Sequence, residues 1–441
     1  GWLPRWPRCV AQQGAEIKAP WYKGDSAMAW LEHLTWQSAL AGLGYGLALL
    51  AVAPCAYLAL LAVGALLARL RERAQRKLPR PEQPGHLVFV VPAHDEERDI
   101  RATVEGLLAL ADADSSIHVI ADNCSDQTAA VVRAVMAETA GAKPGVVQLW
   151  ERNDPSKRAK GFALEWALPQ IFAWSDGRAT PAVFACVVDA DAALTAGSVQ
   201  RARQGFAAGE AVLQSEYVFG EGLGLKAKIM RIASAAIVVR GLGRSYFGTS
   251  DTLKGNGMWF RRTVLEQIPW CAYSLAEDLE YTMLLHRAGY RVHVLAGSGV
   301  SGRLAATHEG ENTQRLRWEG GRWAVVRSEL GPLARAALRS PSARNLDIVA
   351  ELVVPPLGLL VSLQALLLGL LLFVPGSAWM VVAAGWLLLG AMVVVSVPLA
   401  GLPLRLLGAL LYVPFYVLWK LLLLPRTFAA SRSKRWVRTA R

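Results

Sequence analysis

Residues 86–97, HLVFVVPAHDEE, join a short apolar run to a polar tail that carries His94 and Glu96. His86–Pro92 reads as a buried strand, since a near-continuous apolar run bounded by a turn signal suits a strand covered on both faces. The pattern repeats downstream. Helices are expected near 97–111, 126–140 and 159–173, and strands at 117–122, 146–150 and 182–189. Repeated β-α-β units of this kind imply a parallel sheet covered by helices. Ligands of such sheets sit beyond the carboxyl ends of the strands, so His94, Glu96, Asp122 and Asp189 should converge on one cleft. The middle region is read as carrying no GxGxxG and no GxxxxGK[ST] phosphate loop, which argues against a dinucleotide oxidoreductase or a P-loop NTPase. Something other than a glycine loop must then hold any phosphates.

On either side of this soluble middle the charges vanish. Leu34–Ala68 holds no Asp, Glu, Lys or Arg across 35 residues, and Leu352–Leu404 none across 53; about 20 apolar residues span a bilayer. The first block is expected to give a membrane helix at 37–70. Arg69, Arg71, Arg73, Arg76, Lys77 and Arg80 follow it and hold that end in the cytoplasm by the positive-inside rule. The second block divides at Phe373–Ser377 into a transmembrane hairpin over 351–399. A third apolar segment, 402–424, carries Arg405 and Lys420 and either lies in the interface or crosses; the interfacial reading keeps the basic tail 425–441 in the cytoplasm. Between these, the soluble domain is expected at 86–325 and an interfacial helical region at 326–350. Residues 1–36 show no signal-peptide pattern and receive no function.

The formal charge of +12 does not imply a nucleic-acid partner, because much of the excess flanks the apolar blocks, where basic residues meet anionic headgroups. Five scattered cysteines without ligand spacing indicate neither a zinc site nor a disulfide framework, and suit a reducing cytoplasm.

Several polar clusters in the middle region carry chemistry. Asp189 and Asp191, one residue apart after a strand, can grip a divalent cation, and Mg²⁺ or Mn²⁺ suits bridging between carboxylate and diphosphate oxygens. Alone, Asp-Ala-Asp more often marks a solvated turn; its place after an apolar strand favours the cation. Asp122 can accept the ring N–H of a pyrimidine, while Asn123–Asp126 turn the chain and Asp126 caps the next helix. His94, Glu96 and Lys160 suit base or ribose contact as well as loop solvation. Glu277–Asp278 either caps the amphipathic helix that follows or supplies the base for an acceptor hydroxyl, with Asp278 the choice for that base. Gln314, Arg317 and Trp318 share one helix face at i, i+3 and i+4, joining a guanidinium for phosphate to an indole for a sugar ring. The glycine-rich loop Lys254–Met258 lets backbone approach a ligand, with Asn256 as an acceptor contact or a plain turn residue.

Taken in order, VVPAHDEE (90–97), ADNCSD (121–126), DAD (189–191), AED (276–278) and QRLRW (314–318) resemble the membrane-embedded family-2 glycosyltransferases, the group of cellulose, chitin, hyaluronan and poly-N-acetylglucosamine synthases. By motif the resemblance covers 86–325, and by layout it extends to the flanking helices. It implies an α/β GT-A (Rossmann-like) domain inserted between transmembrane α-helices of the cytoplasmic (inner) membrane. The implied reaction is inverting β-transfer from a UDP-sugar to a growing exopolysaccharide or cell-envelope glycan, with Mg²⁺ or Mn²⁺. A single transfer to ceramide, diacylglycerol or polyprenyl phosphate is the alternative, and a non-catalytic nucleotide-sugar sensor a remote one. An accessory export protein is a further partner to look for. Carried onto this sequence, Asp122 and Asp189 bind the donor nucleotide, Asp191 the metal, and Asp278 is the base. Gln314, Arg317 and Trp318 line diphosphate and acceptor, beside Glu277. Ala276 replaces the usual Thr of TED and Ala121 the first Asp of DDGS; neither change removes a carboxylate with a role.

Overall fold

The computed structural model describes residues 24–75, 80–141, 145–220, 224–302, 308–418 and Leu422. Residues 1–23, Arg76, Lys77, Lys420 and the tail 425–441 lie outside the described residues, and with them the expectations placed there.

The opening strand is β1 (His86–Ala93), and β2 (Ser115–Asp122), β3 (Val147–Arg152) and β4 (Ala182–Val187) follow, joined by α2 (Ile100–Leu110), α3 (Thr128–Thr139) and α4 (Lys160–Asp176). Before them runs α1 (Gly24–Gln75). These four strands pair in parallel. Along β1, Phe89 and Val91 enter one core with Val104, Leu107 and Phe184, while Val88 and Val90 enter the other with Leu164 and Ile171. Side chains alternate across a strand, so a strand covered on both faces must be apolar throughout.

The second half of the sheet departs from the all-parallel expectation. It comprises β5 (Ala193–Leu194), β6 (Val212–Tyr217), β7 (Met258–Arg261) and β8 (Val292–Ser301), with α5 (Ser198–Ala207), α6 (Leu225–Tyr246), α7 (Arg262–Gln267) and α8 (Glu277–Arg287) between them. The strand order is β3-β2-β1-β4-β7-β6-β8-β5. β7 runs antiparallel to both β4 and β6, because the loop before it delivers the chain at the cleft end and β7 leads away. A GxGxxG does occur at Gly297–Gly302, but it falls at the end of β8 rather than before a helix and makes no phosphate loop.

Beyond the sheet come α9 (His308–Arg339), α10 (Ala343–Val353), α11 (Leu357–Leu371) and α12 (Ala378–Leu399). α9 runs unbroken through the boundary expected at 325. Among the described residues, two helices are long and apolar enough to cross a membrane: Trp36–Ala74 within α1, and α12. The first arm of the expected hairpin is different. Pro355 and Pro356 interrupt it, and α10 and α11 meet at a 72° bend. Proline cannot donate an amide, and it pushes the preceding residue out of the helical region. α11 alone has 15 residues, about 22 Å of helix against a hydrocarbon layer of about 30 Å. The third apolar segment is described as a short helix, Leu404–Leu418.

Candidate active site

Two loops at the carboxyl ends of β1 and β2 are clasped together. Asp95 and Asn123 both take left-handed backbone, φ 55° and 52°, a region that Asp and Asn tolerate better than most residues. Asp95 Oδ1 accepts from the Ser125 amide at 2.6 Å, and Asp126 accepts from the amides of Glu97 and Thr128 at 3.1 and 2.9 Å. Asp95, Cys124 and Asp126 are the one group of metal-type ligand atoms within 4.8 Å among the described residues. Their oxygens already serve backbone donors, and burial pushes the Cys124 thiol up to about 11, so this group fits a loop clasp better than an ion site.

The clasp fixes His94, whose Nδ1 sits 2.7 Å from the Asp122 carbonyl oxygen. Asp122 is buried, and its Oδ1 receives Arg152 Nη1 at 2.5 Å and Asn123 Nδ2 at 3.0 Å. Burial raises the Asp122 carboxyl above its usual range, against the pull of Arg152. Oδ2 has no hydrogen-bond partner among the described residues, and Asp122 lines the cavity described below. Arg152 was not singled out from the sequence. It lies opposite Asp122 in register at the end of β3, and the strand-end rule applied to that third strand would have found it.

Past β4, Ala190 is buried while Asp189 and Asp191 line the cavity wall. Lys160, at the start of α4, holds Asp189 Oδ1 at 2.5 Å and also donates to the Gly255 carbonyl. Burial alone would lower the Lys160 ammonium; Asp189, Glu277 and Asp278 together raise it. Two carboxylates on one wall are an oxygen donor set that suits a hard divalent cation. Asn256 is placed differently from the expectation. It is fully buried behind Asp189, with Oδ1 accepting from the Asp189 amide at 3.2 Å, so it orients the carboxylate's backbone and makes no wall for an acceptor.

Glu277 and Asp278 open α8, deep in the cavity. Asp278 Oδ1 accepts from the Leu279 amide at 2.8 Å, and a Cβ on Gly255 would stand 3.4 Å from Asp278 Oδ2. Burial, then repulsion from Asp278, pushes Glu277 up to about 7; burial raises Asp278 as well. The helix N-terminus favours anions at both positions, but desolvation wins.

α9 closes this side. A Cβ on Gly321 would lie 2.8 Å from the Ala276 amide nitrogen, so the absent side chain lets the helix sit against the turn that carries Glu277 and Asp278. Gln314, Arg317 and Trp318 thereby reach the same cavity. Trp318 stacks on Phe219 at 5.5 Å and 19°, and Phe219 meets Tyr217 edge-on. Arg317 has no ion-pair partner among the described residues. The cavity, about 510 Å³, thus brings together His94, Glu96, Asp122, Lys160, Asp189 and Asp191 with Glu277, Asp278 and the three α9 residues. It falls within the range usual for small-molecule sites.

Residues 84–321 match the model of the family described as "Glycosyltransferase like family 2", more than half of the 441 residues. The chain belongs to that family. It is a glycosyltransferase with a GT-A-like α/β core whose sheet is mixed, flanked by two apolar helices. Among solved structures, this family-2 chain is similar to the mannosyltransferase PcManGT from Pyrobaculum calidifontis in complex with GDP-Man and Mn²⁺, at 17% identity over 78% of this chain and 97% of that one, TM-score 0.48. It is also similar to S. aureus TarS 1–349 in complex with UDP, at 16% identity over 52% and 63%, TM-score 0.34. A third is glucosyl-3-phosphoglycerate synthase from Mycobacterium tuberculosis in complex with Mn²⁺, UDP and glucosyl-3-phosphoglycerate, at 18% identity over 53% and 72%, TM-score 0.33. Compared with curated proteins, the chain has no match.

Proposed function

We propose that this glycosyltransferase is an inverting enzyme of the cytoplasmic membrane that moves a sugar from a UDP-sugar to a growing envelope glycan or exopolysaccharide, with its catalytic domain in the cytoplasm. The observation that carries the reading is the single cavity in which a half-engaged Asp122, the pair Asp189 and Asp191, and the Glu277–Asp278 pair meet Arg317 and Trp318. The Asp122 carboxylate suits the ring N–H of uracil, with Arg152 at 2.5 Å opposing the burial that raises its carboxyl. Lys160 and Arg317 offer cationic donors to the diphosphate. Asp189 and Asp191 would hold Mg²⁺ or Mn²⁺, which as a Lewis acid offsets diphosphate charge.

The Glu277–Asp278 pair divides its work. Burial and repulsion from Asp278 push Glu277 up to about 7; burial raises Asp278 too, against the Leu279 amide, Lys160 and Lys254, and Asp278 is the member assigned to take the acceptor's hydroxyl proton. Attack on the anomeric carbon from the side opposite the diphosphate inverts the configuration. Trp318 offers the acceptor sugar its apolar face, backed by Phe219.

A lipid acceptor is a second reading, favoured by the carbon-lined far end of the cavity, where Leu58, Leu357 and Met392 from the apolar helices form the wall. The test is release of UDP or GDP from a panel of nucleotide sugars by the full chain in lipid nanodiscs with Mn²⁺. Release confined to UDP-sugars and lost with Asp122→Asn supports the donor assignment. Equal release from GDP-sugars would refute it, and UDP binding without any turnover would favour the sensor.

A further inference from the structure

α6 is pressed between a membrane helix and the active site, and two of its glycines show how closely. A Cβ on Gly243 would overlap the Leu61 carbonyl oxygen of α1, and a Cβ on Gly241 would stand 2.5 Å from Asp251 Oδ2. Two residues turn a helix by about 200°, so these are opposite sides of α6. One side takes the backbone of α1 and the other takes the loop 247–257 that leads into β7, with no side chain in between.

Arg244, fully buried, joins the two sides. Its Nη2 donates to the Tyr57 hydroxyl of α1 at 2.8 Å, and that hydroxyl donates to Asp347 of α10 at 2.6 Å. Its Nε lies 3.2 Å from Asp347, while its Nη1 stands between Glu351 at 2.6 Å and Asp251 at 3.6 Å, in line with neither. Glu351 is shared with Arg240 and, at 3.0 Å, with Arg322 of α9. On the loop, Asp251 passes the contact on: it takes Lys254 Nζ at 3.1 Å, and Lys254 also reaches the Thr252 hydroxyl.

This loop supports the carboxylates of the active site. The Leu253 amide donates to Thr282 Oγ1 at 3.0 Å, and that hydroxyl donates to the Asp278 carbonyl at 2.8 Å. The Gly255 carbonyl receives Lys160, and Asn256 Oδ1 receives the Asp189 amide. A shift of the loop would displace the supports of Asp278 and Asp189 together, whereas Asp122 and Arg152 are held by β2 and β3.

Resting on the glycosyltransferase reading above, we propose that Arg244 is a positioning residue for sugar transfer, tying Tyr57 of the membrane helix α1 to Asp251 so that the loop carrying Lys254, Gly255 and Asn256 takes its working place only while α1 is packed on α6. Arg244 itself touches neither donor nor acceptor; it acts through Asp251. A planar guanidinium suits the task because its fork meets several oxygens in fixed directions, which a single ammonium cannot.

The test uses the full chain in nanodiscs with Tyr57→Phe, Asp251→Asn, the two combined, and Arg244→Lys. Sugar transfer is counted per UDP-binding site, so that unfolded protein drops out of the rate. Each of the first two variants should lower kcat about fivefold or more, the size of one net hydrogen bond, and UDP affinity without divalent ion should stay within about twofold. The combined variant should lose no more than the worse single one, because groups acting through one chain are not additive. Arg244→Lys should fall further than either single variant; if it does not fold, the other three still decide. Hydrogen exchange of the 251–257 amides needs no turnover and should quicken about threefold or more in Tyr57→Phe. Unchanged exchange there, an unchanged kcat per site, or losses that multiply in the combined variant would overturn the proposal. If exchange quickens but the wild type turns over no donor, the tie between α1 and the loop stands and the transfer reading fails.

Discussion

Replacing Arg152 by Met tests the electrostatic argument at its most buried point. The Arg152–Asp122 pair is 2.5 Å long with side chains 5% and 8% exposed, so the substitution leaves a carboxylate with little water and one remaining donor, Asn123. Breaking a buried pair from one side costs about 3–5 kcal/mol, and Arg152 also loses its bonds to the Lys157 carbonyl and Asp154. For a domain of this size that lowers the unfolding midpoint by roughly 6–20 °C. The double variant Asp122→Asn/Arg152→Met removes the stranded charge and should regain more than half of the loss. Tryptophan fluorescence on heating, at one scan rate, gives the midpoints, and titration with UDP gives the affinity. UDP binding should weaken in both variants. If Arg152→Met kept both its midpoint and its UDP affinity, the ion pair would be neither a structural clamp nor a nucleotide determinant, and the reasoning would fail.

Glu277 gives a pH signature. Its carboxyl, held up near 7 by burial and by Asp278, ionises on the alkaline side and adds negative charge beside Asp189 and the donor diphosphate, so kcat/KM should fall as pH rises through about 7. Glu277→Gln should remove that fall and keep turnover within about tenfold, checked by a kcat/KM profile from pH 5.5 to 9. The linkage runs the same way: the folded state holds this proton more tightly, so its contribution to stability is lost as pH rises from about 4.5 to about 7. Gly321→Ala should cost about 1–3 kcal/mol and displace α9 from the Glu277–Asp278 turn, seen as a lower midpoint with a reduced kcat. Chelation of divalent ions, or Asp191→Asn, should abolish transfer and weaken UDP binding, and added Mn²⁺ should restore only the chelated wild type.

Where the chain is read strand by strand, local pattern was enough. β1 was expected at 86–92 and spans His86–Ala93, because a strand covered on both faces writes its burial directly into sequence. The convergence of His94, Asp122 and Asp189 followed from strand ends alone. The antiparallel β7 was not legible, since direction depends on where the preceding loop delivers the chain. The hairpin was expected from the uncharged stretch alone, and Pro355–Pro356 inside that stretch bend its first arm by 72°. Asn256 was misplaced because loop composition does not say which side of a turn faces the cavity. The Arg240–Arg244–Arg322 cluster on Glu351 escaped notice because its members come from three helices far apart in the chain.

The central claim is that Asp278 is the base of an inverting sugar transfer in this cavity. Mass spectrometry and anomeric analysis of the products formed from UDP-sugars by the reconstituted full chain, beside Asp278→Asn, test it most directly. The account expects a sugar-extended product with inverted anomeric configuration from the wild type, and loss of that product by about 10²–10⁴-fold in Asp278→Asn with UDP binding retained. Undiminished product from Asp278→Asn, or retention of the donor's configuration, would contradict it.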